Sequence, residues 1–365
     1  MLDAVIVDAR RTPIASAGHQ LRDVTVEALA AAVLRPLAEH TLAWKLEIDD
    51  VILGVARDHG GNPARRAVLL AGLPPAVPGV TLDRQCGSGL DAIAFASAQV
   101  STLGGCVIAG GAESASTGPP GRAAFAPAGW PDPDLGVAAE QLASTRNIGR
   151  DRQDAYARRS HDRALIAGQN GVFADEIVAV NDLSHDPRPR VLNAQRQARM
   201  PGAFVQGGSV TAGNSCGISD GAALVTITST KTAAQLGLPG LAIRSIARTG
   251  IAPDQPTLGP VTAIRKALAT ANMSLVDVDR IEITEAFASQ MCAVAQDLGL
   301  DDDDPRVCAD GGAIALGHPW GASGAILITR LYSSLVRQRY GHFGMAACAV
   351  AGGQGIAMIV ERINP

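Results

Sequence analysis

Asp83-Arg84-Gln85-Cys86-Gly87-Ser88-Gly89-Leu90 opens the stretch that decides the fold. The glycine-rich turn runs into an apolar, small-residue segment over 90–103. That segment stops at Gly104-Gly105 and continues as Cys106-Val107-Ile108-Ala109. A helix without a polar face followed by a continuous apolar strand predicts elements buried on both sides. The layout returns later in the chain. Gly321-Ala322-Ser323-Gly324 leads into 325–336, and the glycines at 341 and 344 precede Met345-Ala346-Ala347-Cys348-Ala349-Val350. The repetition predicts an α/β fold of two similar halves.

The first half closes with the β-rich run 222–228, and the second opens at Leu241-Ala242-Ile243-Arg244-Ser245. Residues 114–204 differ in texture, being rich in Pro, Gly, Arg and Asp, with one amphipathic helix around 152–167. The expected organisation is a first half of residues 1–113 plus 205–235 and a second half of residues 236–365. An inserted loop domain at 114–204 would serve as lid or substrate-binding unit.

A chain of 365 residues with 47% apolar content can bury a substantial core. Net charge is −4 and the pI is about 6, which argues against nucleic acid or an anionic membrane as partner. Met1-Leu2-Asp3-Ala4-Val5-Ile6-Val7-Asp8 reads as a short buried strand rather than a signal sequence, and no apolar run reaches spanning length. Arg362-Ile363-Asn364-Pro365 carries no targeting signal. The six cysteines form no C-x-x-C pair, so neither a disulfide frame nor a metal site is expected, and a reducing cytoplasm is.

Cys86 lies where a helix should begin, a place where unpaired N–H groups favour a thiolate and cradle an oxyanion. His318, in Gly317-His318-Pro319-Trp320-Gly321, supplies an imidazole able to take the thiol proton. Cys348 ends an apolar strand ahead of Gly352-Gly353-Gln354-Gly355 and offers a second thiol for acid/base work. Nucleophile, base and proton carrier together point to acyl transfer.

With these segments in place, the chain resembles the thiolases over nearly its whole length. Asp3 to Pro13 resembles the family's opening strand and Arg-Thr-Pro turn, and Gly61-Asn62-Pro63-Ala64-Arg65 its Asn-Pro-Ala-Arg segment. Gly110-Gly111-Ala112-Glu113-Ser114, Ser209-Val210-Thr211-Ala212-Gly213-Asn214, Asp220-Gly221-Ala222-Ala223 and Glu285-Ala286-Phe287-Ala288 follow in family order. The resemblance implies two duplicated βαβαβαββ halves in five layers, α-β-α-β-α, with the insertion as loop domain. It implies cleavage of 3-ketoacyl-CoA by CoA, or the reverse condensation, through acyl-Cys86, with His318 as activator and Cys348 as acid/base. CoA or acyl-CoA is then a cosubstrate, and no cofactor is permanently bound. Ser245, Leu135, Ala286 and Phe287 would contact CoA. Thr284 would serve one oxyanion hole, and the N–H of Val350 or Ala351 the other. A homodimer or homotetramer is expected, with a β-oxidation partner as a further expectation within fatty-acid metabolism.

Three departures stand out. Thr284 replaces the family's usual Asn before Glu-Ala-Phe. One extra residue separates Cys348 from the Gly-Gly-x-Gly run. Aligned from the glycines, the thiol position becomes Ala349 and Cys348 faces the wrong way; aligned from the cysteine, a bulge is needed to restore its aim. Residues 114–135 are also short, and Asp134-Leu135-Gly136 stands where some members have His-Met-Gly, which leans against a biosynthetic tetramer. The alternatives are a catalytically impaired acyl-CoA-binding relative or partner subunit, and a decarboxylating condensing enzyme.

Overall fold

A computed structural model describes residues 3–58 and 60–364, so Met1 and Leu2 of the expected opening strand lie outside the described residues, as do His59 and Pro365. The first half runs β1 (Val5–Arg11), β2 (Ala15–Ser16), α1 (Val26–Ala43), β3 (Asp50–Gly54), α2 (Pro63–Leu70), β4 (Val80–Leu82), α3 (Ser88–Leu103) and β5 (Cys106–Ser114). The insertion supplies α4 (Leu135–Thr145), α5 (Arg150–Gln169) and α6 (Ala194–Ala198) before β6 (Ser219–Thr228) and α7 (Thr230–Gln235). The second half runs β7 (Gly240–Gly250), α8 (Gly259–Ala271), β8 (Arg280–Ile283), α9 (Ala288–Leu298), α10 (Ala313–Leu316), α11 (Trp320–Tyr332), β9 (Phe343–Val350) and β10 (Gln354–Ile363).

The strands form one path, β4-β3-β5-β6-β1-β7-β10-β9-β8, with β2 on β6. It is two copies of one topology, whose strands pair where Val5 meets Ala242 and Ile6 meets Leu241. In each copy two strands lie parallel at the outer edge and a long antiparallel pair closes the unit. The copies differ at that edge. Where the first half has β4 beside β3, the second offers only a Val307–Ile281 bridge. The chain arriving there is Asp301-Asp302-Asp303-Asp304-Pro305, an acidic run closed by a residue without an N–H, and it disfavours a longer ladder.

Helices α3 and α11 lie between the halves and pack on each other. Between them they touch strands of both copies. Helices α1 and α2 cover one outer face, α8 and α9 the other, completing the five layers. The central helices approach backbone to backbone. A Cβ on Gly89 would stand 2.7 Å from the Gly321 oxygen, and one on Gly324 would stand 2.6 Å from the Leu90 nitrogen. Only glycine permits this approach, and it draws the turns before α3 and α11 together. Those turns carry Cys86 and His318.

The insertion is fastened by buried charge. Glu176 accepts from Arg11 Nε of β1 at 2.7 Å, from Ser333 Oγ at 2.6 Å, and from Arg330 of α11. Arg11 is further held by Asp186 at 2.9 and 2.8 Å, and Arg330 by Asp310. Burial opposes ionisation of Glu176, yet Arg330 and Arg11 hold its carboxyl below the usual range.

Candidate active site

Cys86 occupies a single 3₁₀ turn, Gln85–Gly87, that feeds α3. Gln85 has φ of +47°, an uncommon conformation for a side chain of its size. Its N–H donates to Asp83 Oδ1 at 2.5 Å, Arg84 N donates to Ser88 Oγ at 2.8 Å, and Ser88 Oγ donates to Gln85 O at 2.7 Å. The turn is therefore over-determined, which offsets its strain. Arg84 Nη1 also reaches Gln354 Oε1 at 3.0 Å, tying the cysteine turn to the β9–β10 turn.

The aim of Cys348 is settled by strand register. The β9–β10 ladder runs without a shift from Gln354↔Val350 to Glu361↔Phe343, and it places Ile356 opposite Cys348. No bulge is present. The extra residue is taken up in the turn at 351–353, where Gly352 and Gly353 have φ of +77° and +74°. Cys348 and Val350 share a face by alternation. Gly87 lies against that face, since a Cβ on it would stand 2.8 Å from Val350 Cγ2 and 3.0 Å from Ile356 Cγ2. Cys348 thus faces the central layer near Cys86, without the bulge that alignment from the cysteine requires.

His318 is buried, and its backbone N–H donates to Gly217 O at 2.9 Å. Its Nδ1 lies 2.6 Å from Ser323 Oγ, whose own hydrogen goes to Pro319 O at 3.0 Å. With the Ser323 hydrogen given to Pro319 O, the serine accepts from a ring hydrogen on Nδ1, the tautomer that leaves Nε2 with a free lone pair. Glu113, fully buried at the end of β5, holds this loop in place. Its Oε2 accepts from Gly321 N at 2.9 Å and from Ala56 N at 3.1 Å, and burial pushes the carboxyl up to about 7.

The charge state differs from the helix-terminus expectation. Burial pushes the Cys86 thiol well up, and Cys348, Cys216 and Glu113 add to the shift. Burial pulls His318 down to about 4, and pushes Cys348 up to about 12 against a lowering contribution from Thr284. Near neutral pH these shifts favour a Cys86 thiol and a neutral His318 imidazole over a preformed ion pair. Alkylation of Cys86 by iodoacetamide in the free protein should therefore rise steadily from pH 6 to 9. A plateau below pH 7 would show a standing thiolate instead.

Leu135 and Ala286 pack against one apolar cluster of Ala139, Val210 and Phe287. Ser245 does not join them. It lies on β7 and donates to Ala267 O of α8 at 2.8 Å, on the outer face, so the assignment of Ser245 to CoA is corrected. Cys216 is at the site instead. Its N–H donates to Ala286 O at 3.0 Å, and the next residue carries the oxygen that holds His318. A cysteine next to glycine, directly after the quoted 209–214 segment, was the available signal. Thr284 also departs from expectation, since its hydroxyl is directed to Cys348 Sγ at 3.3 Å. Glu285, beside it, accepts from Tyr156 OH at 3.0 Å and Ser160 Oγ at 2.6 Å, so the insertion's α5 is bonded to the site.

The sequence matches the family description "Thiolase, N-terminal domain" over residues 4–128 and 130–231, and "Thiolase, C-terminal domain" over residues 238–362. The chain belongs to the thiolase family. It is 40% identical to a 3-oxoadipyl-CoA/3-oxo-5,6-dehydrosuberyl-CoA thiolase of Escherichia coli, covering 100% of both chains. It is likewise 40% identical to an acetyl-CoA acetyltransferase of Chromobacterium violaceum, covering 99% of this chain and 100% of that one. Among solved structures, the acetyl-CoA acetyltransferase of Bacillus anthracis superposes with a TM-score of 0.91 at 34% identity, covering 100% of this chain and 99% of that one. This thiolase has no described helix long and apolar enough to cross a membrane. Among its described residues, no His/Cys/Asp/Glu group could hold a metal ion.

Proposed function

We propose that this thiolase cleaves 3-ketoacyl-CoA with CoA, or runs the reverse condensation, through an acyl group on Cys86. The carrying observation is the convergence of the Cys86 turn, the His318 loop and the Cys348 face of β9 in the central layer. The Cys86 proton passes to His318 Nε2 as sulfur attacks the 3-keto carbon. The C2–C3 bond then breaks, and the acetyl-CoA carbanion takes its proton from Cys348. CoA thiol next gives its proton to Cys348 while its sulfur attacks the acyl carbon. Cys86 leaves as thiolate and recovers its proton from His318, so protons and electrons balance.

The oxygen of acyl-Cys86 requires donors. The Cys86 N–H, at the open start of its turn, is one. The other is the N–H of Ala351, which meets no acceptor among the described residues and is preferred to Val350 within the ladder. Leu135, Ala286 and Phe287 form the apolar wall on which a pantetheine arm would lie. A cytoplasmic homodimer is the accompanying reading. The impaired-binder alternative loses its main support, because Cys348 faces the site without a bulge.

The test is CoA-dependent loss of acetoacetyl-CoA and of a longer 3-ketoacyl-CoA, with acetyl-CoA measured as product. Turnover of either supports the reading. Acylation of Cys86 without carbon–carbon cleavage of any 3-ketoacyl-CoA would overturn it.

A further inference from the structure

Thr284 stands where the resemblance places an oxyanion-hole residue, but its geometry serves another group. Its backbone is pinned, with N–H donating to Ala347 O at 3.0 Å and its carbonyl accepting from Ala286 N at 3.0 Å. Both Thr284 and Cys348 are buried, with exposures of 1% and 0%. A β-branched side chain on a fixed backbone has few rotamers, so the hydroxyl has a set direction. Its single hydrogen is directed to Cys348 Sγ at 3.3 Å, and among the described residues no other group hydrogen-bonds that sulfur.

We propose, on the thiolase reading above, that Thr284 is a positioning residue for Cys348: its hydroxyl aims the thiol and stabilises the thiolate formed when Cys348 gives up its proton. A thiolate in an apolar layer is costly, and one hydroxyl donor recovers part of that cost. Titratable or charged groups around this layer include Cys86 before α3 with Cys216 and Glu113 acting on it, Asp91 on α3, His318 and Arg330 before and on α11, and Glu282 two residues back on β8. Arg330 is engaged by Glu176 and Asp310, and His318 by Ser323. Glu282 is held largely protonated by burial, pushed up to about 8. Thr284 is thus left as the direct support of the Cys348 thiolate.

The experiment compares Thr284→Val, which keeps shape and loses the donor, with Thr284→Ser, which keeps the donor. The first readout is alkylation of Cys348 against pH in a Cys86→Ala background, followed by peptide mass. It requires no turnover, so it stands even if the thiolase reading fails. The second is the pH profile of 3-ketoacyl-CoA thiolysis with Cys86 intact. Thr284→Val should slow Cys348 alkylation about tenfold at each pH between about 8 and 10, and Thr284→Ser should restore it. The profile limb reporting Cys348 should move with it. Unchanged Cys348 alkylation with a lowered thiolysis rate would assign Thr284 to the oxyanion hole and overturn the proposal. No change in either readout, or equal losses in the Val and Ser variants, would also overturn it.

Discussion

Replacing Cys86 by alanine should leave a folded protein that forms no acyl-enzyme and has lost at least about 10⁴-fold in thiolysis, since the covalent intermediate is the route the geometry supports. The neighbouring thiols cannot take over. Cys348 lies on β9 and Cys216 in the loop before β6, so neither stands at the glycine-flanked start of a buried helix as Cys86 does. The change removes one buried sulfur, so destabilisation should stay near about 1 kcal/mol. Intact-mass measurement after incubation with acetyl-CoA reads the adduct, and a thermal melt reads the fold. An acetyl adduct that persists in the Cys86→Ala variant, or turnover within tenfold of wild type, would move the nucleophile elsewhere.

Replacing Glu176 by alanine should have the largest effect on stability, about 3–5 kcal/mol. Arg11 and Arg330 come from different halves of the molecule, and both are essentially buried. Without Glu176 each keeps only one carboxylate, and two desolvated guanidiniums face each other over Phe173. Glu176→Gln should fall between the two, because the amide keeps volume and one acceptor. The pH dependence has a defined sign. A carboxyl held below its unfolded pKa contributes stability that is complete above about pH 4.3 and lost as pH falls below it. Denaturant unfolding at pH 7 and pH 4 checks both points, and a loss below about 1 kcal/mol for Glu176→Ala would show that the cluster is not a clamp.

Much of this was legible in residue order. The duplicated glycine turn, buried helix and apolar strand gave α3–β5 and α11–β9, because continuous apolar runs bounded by glycine have few other folded outcomes. The helix expected around 152–167 is α5, Arg150–Gln169. Cys86, His318 and Cys348 could be chosen because their glycine settings are unusual for packing residues. Leu135, Ala286 and Phe287 came from resemblance alone, and they do converge.

Other features depend on contacts that no local pattern encodes. Ser245 and Cys216 exchange importance because strand orientation, set by pairing with β10 and packing on α8, turns Ser245 outward. The ionisation of Cys86 follows burial more than its place at a helix start, and burial is a property of the whole assembly.

The sequence by itself determined the two-half α/β architecture, the insertion and the choice of candidate side chains. These follow from hydrophobic periodicity, glycine placement and functional-group chemistry, all of which are local. Only the tertiary structure decided the aim of Cys348, the hydrogen bond that directs Thr284 to it, and the burial that raises the Cys86 thiol and lowers His318. Each of those depends on which groups from distant segments meet once water is excluded, and a one-residue shift in spacing is absorbed by a turn or transmitted along a strand according to the register of the paired strand.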